Sequence, residues 1–281
     1  MPPGGYYGQV LRVDLRDGSA AREPIPEATL RAFVGGSGLG TKLLMDAAPA
    51  GIDPLAPDAP VVVALSPLVG SPLTTSAKFA VVAKSPLTER ITDALASDRF
   101  AIELKHAGLD ALVITGAAPA WSVLVIHDDD VRLEDASDLV GLSSWDAEQR
   151  ARERFGPSFR WFGIGPAGEA QVRFATISGD NRHAGRGGLG AVLGAKKLKG
   201  IVARATTPCA VADRDAVLAM AKDLSKRSPG ERTATDREPG TIANVLVLNR
   251  LGARPTRNFQ AGSFEGAESI SGEAFHATEG K

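Results

Sequence analysis

A glycine-rich stretch with basic side chains is the part of this sequence whose residue types could bind a charged ligand. It reads NRHAGRGGLGAVLGAKKLKG over residues 181–200, with glycines at 185, 187, 188, 190 and 194 before the final Gly200. Its first half is too rich in glycine for a helix interior, whereas Leu189, Val192 and Leu193 have nearly helical spacing. Free backbone N–H groups at such a helix start, beside Arg182 and Arg186, suit a phosphate or another anion. The alternative is a tight turn where helix and sheet pack so closely that only glycine fits, and the residue types leave both interpretations open.

No other motif in the sequence carries chemistry of its own. The pattern G-x-G-x-x-G occurs at 163–168 and 185–190, but a strand-like run follows the first and no clear strand leads into the second, which argues against a dinucleotide site. The four histidines are scattered, and no nucleophile–base pair can be assembled. We therefore predict no catalytic residue and no metal ligand in this chain. The three aspartates at 128–130 fit a solvated turn, and Glu169 fits a turn hydrogen bond.

Composition excludes several classes of function. The chain has 281 residues, 43% of them hydrophobic, and a net charge of −1 from 32 basic and 33 acidic residues. This balance gives no electrostatic basis for binding nucleic acid or an anionic membrane. No apolar run approaches the roughly 18 residues needed to cross a bilayer. The single cysteine, Cys209, permits no internal disulfide, so we expect a cytoplasmic protein in which this thiol is idle.

The elements that must position the glycine stretch alternate irregularly between strands and helices. We predict strands at 7–15, 60–65, 79–83, 111–115, 161–165, 172–177 and 200–205, with a hairpin at 122–133. Helices are predicted at 26–33, 41–48, 95–107 and 143–155, with a glycine-rich turn at 34–40. This mixture favours an α+β fold over a doubly wound sheet. Helices at 213–227 and 241–251 follow without strands, so we predict an α+β domain at 1–207 and an incomplete all-α domain at 208–281.

Several phrases in the sequence together resemble one known family, the aldehyde ferredoxin oxidoreductases. The phrases are YGQVLRVDL (7–15), FVGGSGLG (33–40), KSPLT (84–88), GIGPAGE (163–169) and GRGGLGAVLGAKKLK (185–199). In this order and spacing they are similar to the N-terminal region of the family over residues 6–205. The phrases GTIA (240–243) and PTRNFQ (255–260) resemble the beginning of its helical second domain.

The resemblance implies a fold and a cofactor. The first domain of the family is an α+β base of two sheets that carries a tungstopterin (or molybdopterin) cofactor with two pterins. The later helical domains supply the cysteines of one [4Fe–4S] cluster and the acid/base residues near the metal, and Mg²⁺ is a further candidate ion. These enzymes oxidise aldehydes to carboxylic acids and pass the electrons to ferredoxin.

The resemblance also assigns cofactor-binding positions. These positions are Lys78, Leu95, Ser97, Arg182, Ala184, Gly185, Arg186, Gly187 and Gly188. Some of the surrounding residues depart from the family pattern. Lys78 and Ser37 stand where arginines are usual, and residues 95–98 replace an Asn-Ser-Gly-Gly stretch. Lysine keeps a point charge without the guanidinium fork, and Asp98 would bring negative charge near an anionic cofactor unless it points away.

The family's cluster cysteines would come shortly after Lys281, so we expect this chain to be inactive alone. We expect it to be either a fragment of a longer enzyme or the partner of a separate subunit that carries the cluster, with a ferredoxin-like electron acceptor. Neither nucleic acid nor a membrane is an expected partner, and a homo-oligomer is a further candidate assembly. The alternatives are a non-catalytic module that binds a phosphate or pterin ligand, a structural subunit of a split enzyme, and a decayed relative without redox chemistry.

Overall fold

Two six-stranded sheets form the framework of the chain. The structure is a computed structural model that describes residues 4–237 and 240–279. Its strands are β1 (Gln9–Asp14), β2 (Ala20–Pro24), β3 (Val61–Leu65), β4 (Lys78–Lys84), β5 (Ile91–Ser97), β6 (Ala111–Thr115), β7 (Ser122–His127), β8 (Asp130–Asp135), β9 (Arg160–Gly163), β10 (Ile177–Gly179), β11 (Arg182–Ala184) and β12 (Leu198–Arg204). The first sheet has the order β2-β1-β6-β3-β4-β5 and the second the order β11-β10-β9-β12-β7-β8. Within the described ranges, two pairs of neighbouring strands are parallel: β1 with β6, and β7 with β12.

Helices cover the sheets and make up the end of the chain. They are α1 (Glu27–Phe33), α2 (Gly36–Ala47), α3 (Arg99–His106), α4 (Ser144–Phe155), α5 (Pro166–Glu169), α6 (Leu189–Ala195), α7 (Arg214–Arg227), α8 (Ala234–Arg237), α9 (Asn244–Arg250) and α10 (Gly272–Glu279). Two mixed sheets with several helices confirm the predicted α+β class. The chain forms two compact units, one ending at Leu218 and the other beginning at Ala219. The predicted domain boundary after residue 207 stays a prediction.

The main core of the first unit lies between the two sheets. Three aromatic rings meet there: Phe79 of β4, Phe100 of α3 and Phe162 of β9 have ring centroids 5.0–5.7 Å apart. All three are buried, so α3 is enclosed by the faces of both sheets. Such contacts stabilise the packing beyond the burial of apolar area, by about 0.5–1.5 kcal/mol per pair. The outer faces are covered by α2 on the first sheet and α4 on the second.

The predicted helix at 95–107 is wrong in its first part, because β5 occupies residues 91–97. Ala94 and Ala96 are buried in the core, whereas Leu95 between them is 61% exposed. This alternation has the period of a strand. The helix begins only after Asp98, whose Oδ1 accepts the N–H of Phe100 at 2.9 Å as an N-cap. The cap therefore separates the strand from α3.

Three other predictions also need correction. Residues 172–176 do not form the predicted strand. Their carbonyl groups face α6 instead of a neighbouring strand, and the N–H of Gly190 donates to the carbonyl of Ala175 at 2.9 Å. The predicted turn at 34–40 is shorter, since α2 already begins at Gly36. Gly40 lies within this helix, and glycine is needed there because a Cβ would lie 2.6 Å from Cγ2 of Val82. A short strand, β11, does lead into the glycine stretch, although it belongs to an antiparallel hairpin and not to a βαβ unit.

The second unit is helical and leaves much of its apolar surface open. Residues 256 and 261 form an isolated antiparallel bridge after α9, and Oδ1 of Asn249 accepts the N–H of Phe264 at 2.6 Å. Large apolar side chains of this unit are exposed, among them Val247, Leu251 and Phe259. Such exposed side chains are typical of a surface that is covered by further protein.

A buried ion pair ties the beginning of the chain to the first sheet. Nζ of Lys105 lies 2.5 Å from Oδ1 of Asp110, and both side chains are almost completely buried. The other carboxylate oxygen accepts backbone N–H groups of Tyr7, Gly8 and Gln9 at 3.0, 2.6 and 3.4 Å. The carboxylate therefore holds the start of β1 against the end of α3.

Removing the cation of this pair should destabilise the fold strongly. Lys105→Met leaves a buried carboxylate without its counter-charge, and we expect the free energy of unfolding to fall by about 3–5 kcal/mol. Denaturant unfolding measures this change. The matched control is Arg31→Met, which breaks the exposed pair with Glu27 and should alter stability by about 0.5 kcal/mol or less. Equal effects of the two substitutions would contradict the role of the buried pair.

Candidate functional site

A tight hairpin delivers the glycine stretch to its place. Strands β10 and β11 are joined by Asp180 and Asn181, which have positive φ angles of 46° and 59°. A two-residue turn with both central residues in this region has the twist that an antiparallel hairpin requires. Gly179 precedes the turn, and a Cβ there would lie 2.0 Å from the carbonyl oxygen of Trp161. This hairpin is not predicted from the sequence; the signal that could have found it is the pair Asp180-Asn181, two residue types that tolerate positive φ angles.

The loop of residues 185–188, here called the glycine loop, needs glycine for both conformation and space. Gly187 and Gly188 each have a φ of 73°. A Cβ at Gly187 would lie 2.3 Å from Oγ1 of Thr92 in β5, and one at Gly188 would lie 1.9 Å from the carbonyl oxygen of Arg173. Any side chain at these two positions would be both strained and blocked. The loop is consequently held against β5 on one side and residue 173 on the other.

The glycines inside α6 have a packing role. A Cβ at Gly190 would lie 2.4 Å from the carbonyl oxygen of Thr176, and one at Gly194 would lie 1.9 Å from that of Gly168. These distances are far below van der Waals contact, so only glycine allows the helix to rest on this backbone. The packing interpretation, which the sequence left open, is therefore correct for the back half of the stretch.

The first half of the glycine stretch contains hydrogen-bond donors that have no acceptor in the described part of the chain. In the part of the chain that the structure describes, the N–H groups of residues 185–188 have no hydrogen-bond acceptor. The guanidinium groups of Arg182 and Arg186 are exposed and have no partner within the same ranges. Four backbone donors beside two guanidinium groups form a donor set that fits an oxyanion. The glycine loop thus presents hydrogen-bond donors that no side chain of its own blocks.

A buried serine in the KSPLT phrase holds the glycine loop against the turn after β4. Oγ of Ser85 donates to the carbonyl oxygen of Gly187 at 2.8 Å and accepts the N–H groups of Leu87 and Thr88 at 3.1 Å each. Its side chain is fully buried. One hydroxyl therefore links the turn after β4 to the glycine loop. This positioning role is not evident from the sequence, because the two segments lie about a hundred residues apart.

The other predicted cofactor-binding residues lie on β4 and β5. Lys78 stands opposite Ser97 in the strand register, and its Nζ is 3.4 Å from Oγ of Ser97. Leu95 points outward on the same strand. The neighbouring outward residue Asp93 accepts a hydrogen bond from Oγ of Ser37 at 2.5 Å. The Ser37 hydroxyl therefore provides a hydrogen-bond donor to the Asp93 carboxylate on the outward face of β5.

The hairpin and β5 run side by side along one edge of the first sheet. Gly187 packs on Thr92 near the start of β5, and a Cβ at Gly179 would lie 3.2 Å from Oδ2 of Asp98 at the other end. Gly179 is paired with Arg182 across the hairpin. The glycine loop thus lies near the start of β5 and the hairpin turn near its end. Thr92, on which the loop packs, is on the same face of β5 as the buried Ala94 and Ala96, whereas Leu95 and Ser97 are on the opposite face. The side chain of Ala184 is buried in the core.

Asp98 does not present its charge to this surface. The side chain is only 4% exposed, and its Oδ2 has no hydrogen-bond partner among the described residues. Burial, together with the negative charges of Asp180 and Glu148, raises the pKa of Asp98 to about 6, against the lowering effects of the Phe100 N–H and Arg160. The carboxylate that seemed unfavourable beside an anionic cofactor is therefore enclosed behind the site.

Glu169 has a structural role, as the sequence analysis favoured. Its carboxylate oxygens accept the N–H of Gly141 at 3.1 and 3.0 Å, and one of them pairs with Nζ of the buried Lys199. The described residues contain no group of three or more His, Cys, Asp or Glu side chains that could hold a metal ion. None of the described helices combines the length and apolar character needed to cross a membrane.

The family relationship follows from comparison with known proteins. Residues 10–205 match the family model described as "Aldehyde ferredoxin oxidoreductase, N-terminal domain". The chain belongs to the aldehyde ferredoxin oxidoreductase family. The predicted resemblance is thereby confirmed, and the matched range contains the sheets, the hairpin and the glycine loop.

Individual relatives in this family cover nearly the whole chain. It is 38% identical over 277 residues to the tungsten-containing aldehyde ferredoxin oxidoreductase of Pyrococcus abyssi, an alignment that includes 97% of this chain and 46% of that protein. It is 31% identical to the aliphatic sulfonate oxidoreductase, WOR-like subunit, of Pyrococcus furiosus over 91% of this chain and 43% of that protein. The chain thus spans about half the length of these relatives.

A solved structure supports the same fold. A chain of the active site complex BamBC of benzoyl coenzyme A reductase, in complex with 1,5-dienoyl-CoA, superimposes with a TM-score of 0.83 at 26% identity. The match covers 95% of this chain and 43% of that chain. The two-sheet base of the aldehyde ferredoxin oxidoreductase family is therefore present in a subunit of a larger complex.

Removing the hydroxyl of Ser85 should loosen the glycine loop. Ser85→Ala deletes the hydrogen bond to the carbonyl of Gly187, which is worth on the order of 1 kcal/mol. We expect tryptic cleavage after the exposed Arg186 to become about five-fold faster. The control is Thr88→Ala, whose hydroxyl accepts only the N–H of Arg90, at 3.4 Å. An unchanged cleavage rate in Ser85→Ala would exclude this positioning role.

The buried Asp98 should make stability depend on pH. Its pKa is higher in the folded state than in the unfolded chain, so its ionisation destabilises the fold as pH rises from about 4 through 6. Asp98→Asn keeps an N-cap residue and removes the charge. We expect it to raise the free energy of unfolding at pH 8 by about 1–3 kcal/mol and to have much less effect at pH 4. Denaturant unfolding at both pH values tests this, with the exposed Glu153→Gln as control; equal effects of Asp98→Asn at both pH values would refute it.

Proposed function

We propose that this chain is the cofactor-holding part of a tungsten or molybdenum bis-pterin oxidoreductase. The observation that supports the proposal is the glycine loop, with four backbone N–H groups free beside the unpartnered Arg182 and Arg186. A pterin cofactor of this type carries phosphate groups, and guanidinium and backbone N–H donors are suited to bind them. The names of the relatives, which include tungsten-containing aldehyde ferredoxin oxidoreductases, support the metal.

Each predicted position except Ala184 has a task in this proposal. Residues 185–188 donate backbone hydrogen bonds to a phosphate, and Arg182 and Arg186 neutralise its charge. Lys78 and Ser97 offer an ammonium and a hydroxyl at the far end of β5, 3.4 Å apart. Leu95, exposed on the same strand, offers an apolar contact for a flat ring and backbone groups at the strand edge. Because Lys78 replaces the usual arginine, its contact is a point charge without a fork.

The reaction itself belongs to the complete enzyme. The metal–pterin group, when bound, would supply the redox chemistry for oxidation of an aldehyde and water to a carboxylic acid, two protons and two electrons. This chain binds and orients that group and contributes no acid or base. We propose that a [4Fe–4S] cluster and a ferredoxin-type acceptor take the electrons onward, with the cluster ligands on protein beyond this chain. A bound Mg²⁺ ion and a cytoplasmic location are further parts of the proposal.

Loss of one loop arginine should weaken retention of the cofactor. Arg186→Ala in the assembled holoenzyme removes a charge-assisted contact of about 1.5–3 kcal/mol, so we expect affinity for the pterin to fall about 10- to 100-fold. Tungsten and molybdenum content by elemental mass spectrometry, and released pterin by fluorescence, measure the loss. Arg150→Ala is the matched control, because Arg150 is an exposed arginine of α4 paired with Asp138 and Glu153.

The outcome separates the proposal from its alternatives. Unchanged metal and pterin content in Arg186→Ala would contradict the role of the glycine loop. A holoenzyme that contains a phosphate ligand but neither metal nor pterin would support the non-catalytic binding module instead.

A further inference from the structure

A second cluster of arginines surrounds a pocket that contains none of the predicted cofactor-binding residues. The pocket has a volume of about 410 Å³ and lies between the exposed face of α3, the beginning of β9 and the end of β12. Its polar lining consists of Arg99, Glu103, Ser158, Arg160 and Arg204. We call it the arginine pocket. It lies within the first unit of the chain.

The fold itself brings the three guanidinium groups together. The apolar face of α3 is enclosed between the sheets through Phe100 and Leu104, which leaves Arg99 and Glu103 on the outer face. Arg160 in β9 pairs with residue 203 in β12, so Arg204 is its near neighbour on the adjacent strand. The cluster therefore depends on the helix and the two strands rather than on a mobile loop.

The positive charge of the pocket is only partly neutralised. Oε2 of Glu103 accepts Nη1 of Arg204 at 3.2 Å and the N–H of Ala205 at 3.0 Å. Arg99 has no hydrogen bond or ion pair in the described ranges, and Nε of Arg160 is buried there without an acceptor. Arg160 interacts electrostatically with the buried Asp98, but no hydrogen bond joins them. Two guanidinium groups thus remain available.

We propose that the arginine pocket binds a small molecule through a diphosphate group. Guanidinium groups form paired hydrogen bonds with phosphate oxygens, and Arg99 and Arg160 offer two such forks. The hydroxyl of Ser158 supplies a further donor. The volume lies within the range of small-molecule sites and exceeds what a single phosphate ion fills, which favours two linked phosphates over one.

Titration calorimetry with pyrophosphate on the purified chain tests this site. At low ionic strength we expect the double variant Arg99→Gln/Arg160→Gln to bind pyrophosphate at least about 30-fold more weakly than the parent chain, because both forks are lost. Inorganic phosphate should bind the parent chain more weakly than pyrophosphate. Arg150→Gln, an exposed arginine outside the pocket, is the control and should change affinity by about two-fold or less.

Two further variants make the result decisive. Arg99→Gln alone alters an exposed side chain, so it tests the site even if the double variant fails to fold, and it should weaken binding at least about five-fold. The glycine loop is itself a proposed phosphate site, so the parent chain and all these variants are compared in an Arg186→Gln background, which weakens binding at the loop and leaves the pocket intact. In that background, an unchanged pyrophosphate affinity in Arg99→Gln, or no pyrophosphate binding at millimolar concentration, would overturn the proposal.

Discussion

The close contact between α6 and the backbone of residues 168–176 is the constraint on which the candidate site depends. Gly190 and Gly194 rest on carbonyl groups that a Cβ at either position would approach to within 2.4 Å. A helix can lie this near to another backbone segment only where it has no side chain. The same contact determines where α6 begins, and hence where the glycine loop before it must lie. Ser85 and Thr92 then hold the loop from the side of the first sheet.

The glycine stretch therefore has two functions that are divided by position. From Gly187 onward glycine is required by backbone conformation and by neighbouring atoms, so that part of the stretch needs no ligand to explain it. At residues 185 and 186 the reason changes. A Cβ at Gly185 would meet only the flexible ring of His183, and the N–H groups of these residues have no acceptor in the described part of the chain. Unpaired donors beside two arginines are better explained by a bound anion than by packing.

Local patterns in the sequence predicted most of the strands, the α+β class and the position of the loop, because these follow from periodicity and turn residues. The failures share a physical cause, which is that distant contacts decided the structure. Residues 91–97 became an edge strand because β4 offers a partner, and residues 172–176 lost their strand because α6 takes their carbonyl groups. The link from Ser85 to Gly187 and the convergence of Arg99, Arg160 and Arg204 join segments far apart in the chain. No local pattern reveals them.

The net charge of the chain does not reveal how its charged side chains are distributed. A net charge of −1 argues against any large electropositive surface, yet arginines gather at the glycine loop and at the arginine pocket. Asp98 lies after the end of β5 and interacts electrostatically with Arg160 of the arginine pocket, where an exposed carboxylate would weaken binding of an anion. The fold encloses it instead, with Gly179 close to one oxygen and the N–H of Phe100 on the other. Burial costs stability at neutral pH, since the carboxylate must ionise without water. Because the Asp98 carboxylate is enclosed, it does not repel an anionic ligand at the end of β5. The fold therefore loses some stability but keeps this surface free of an exposed negative charge.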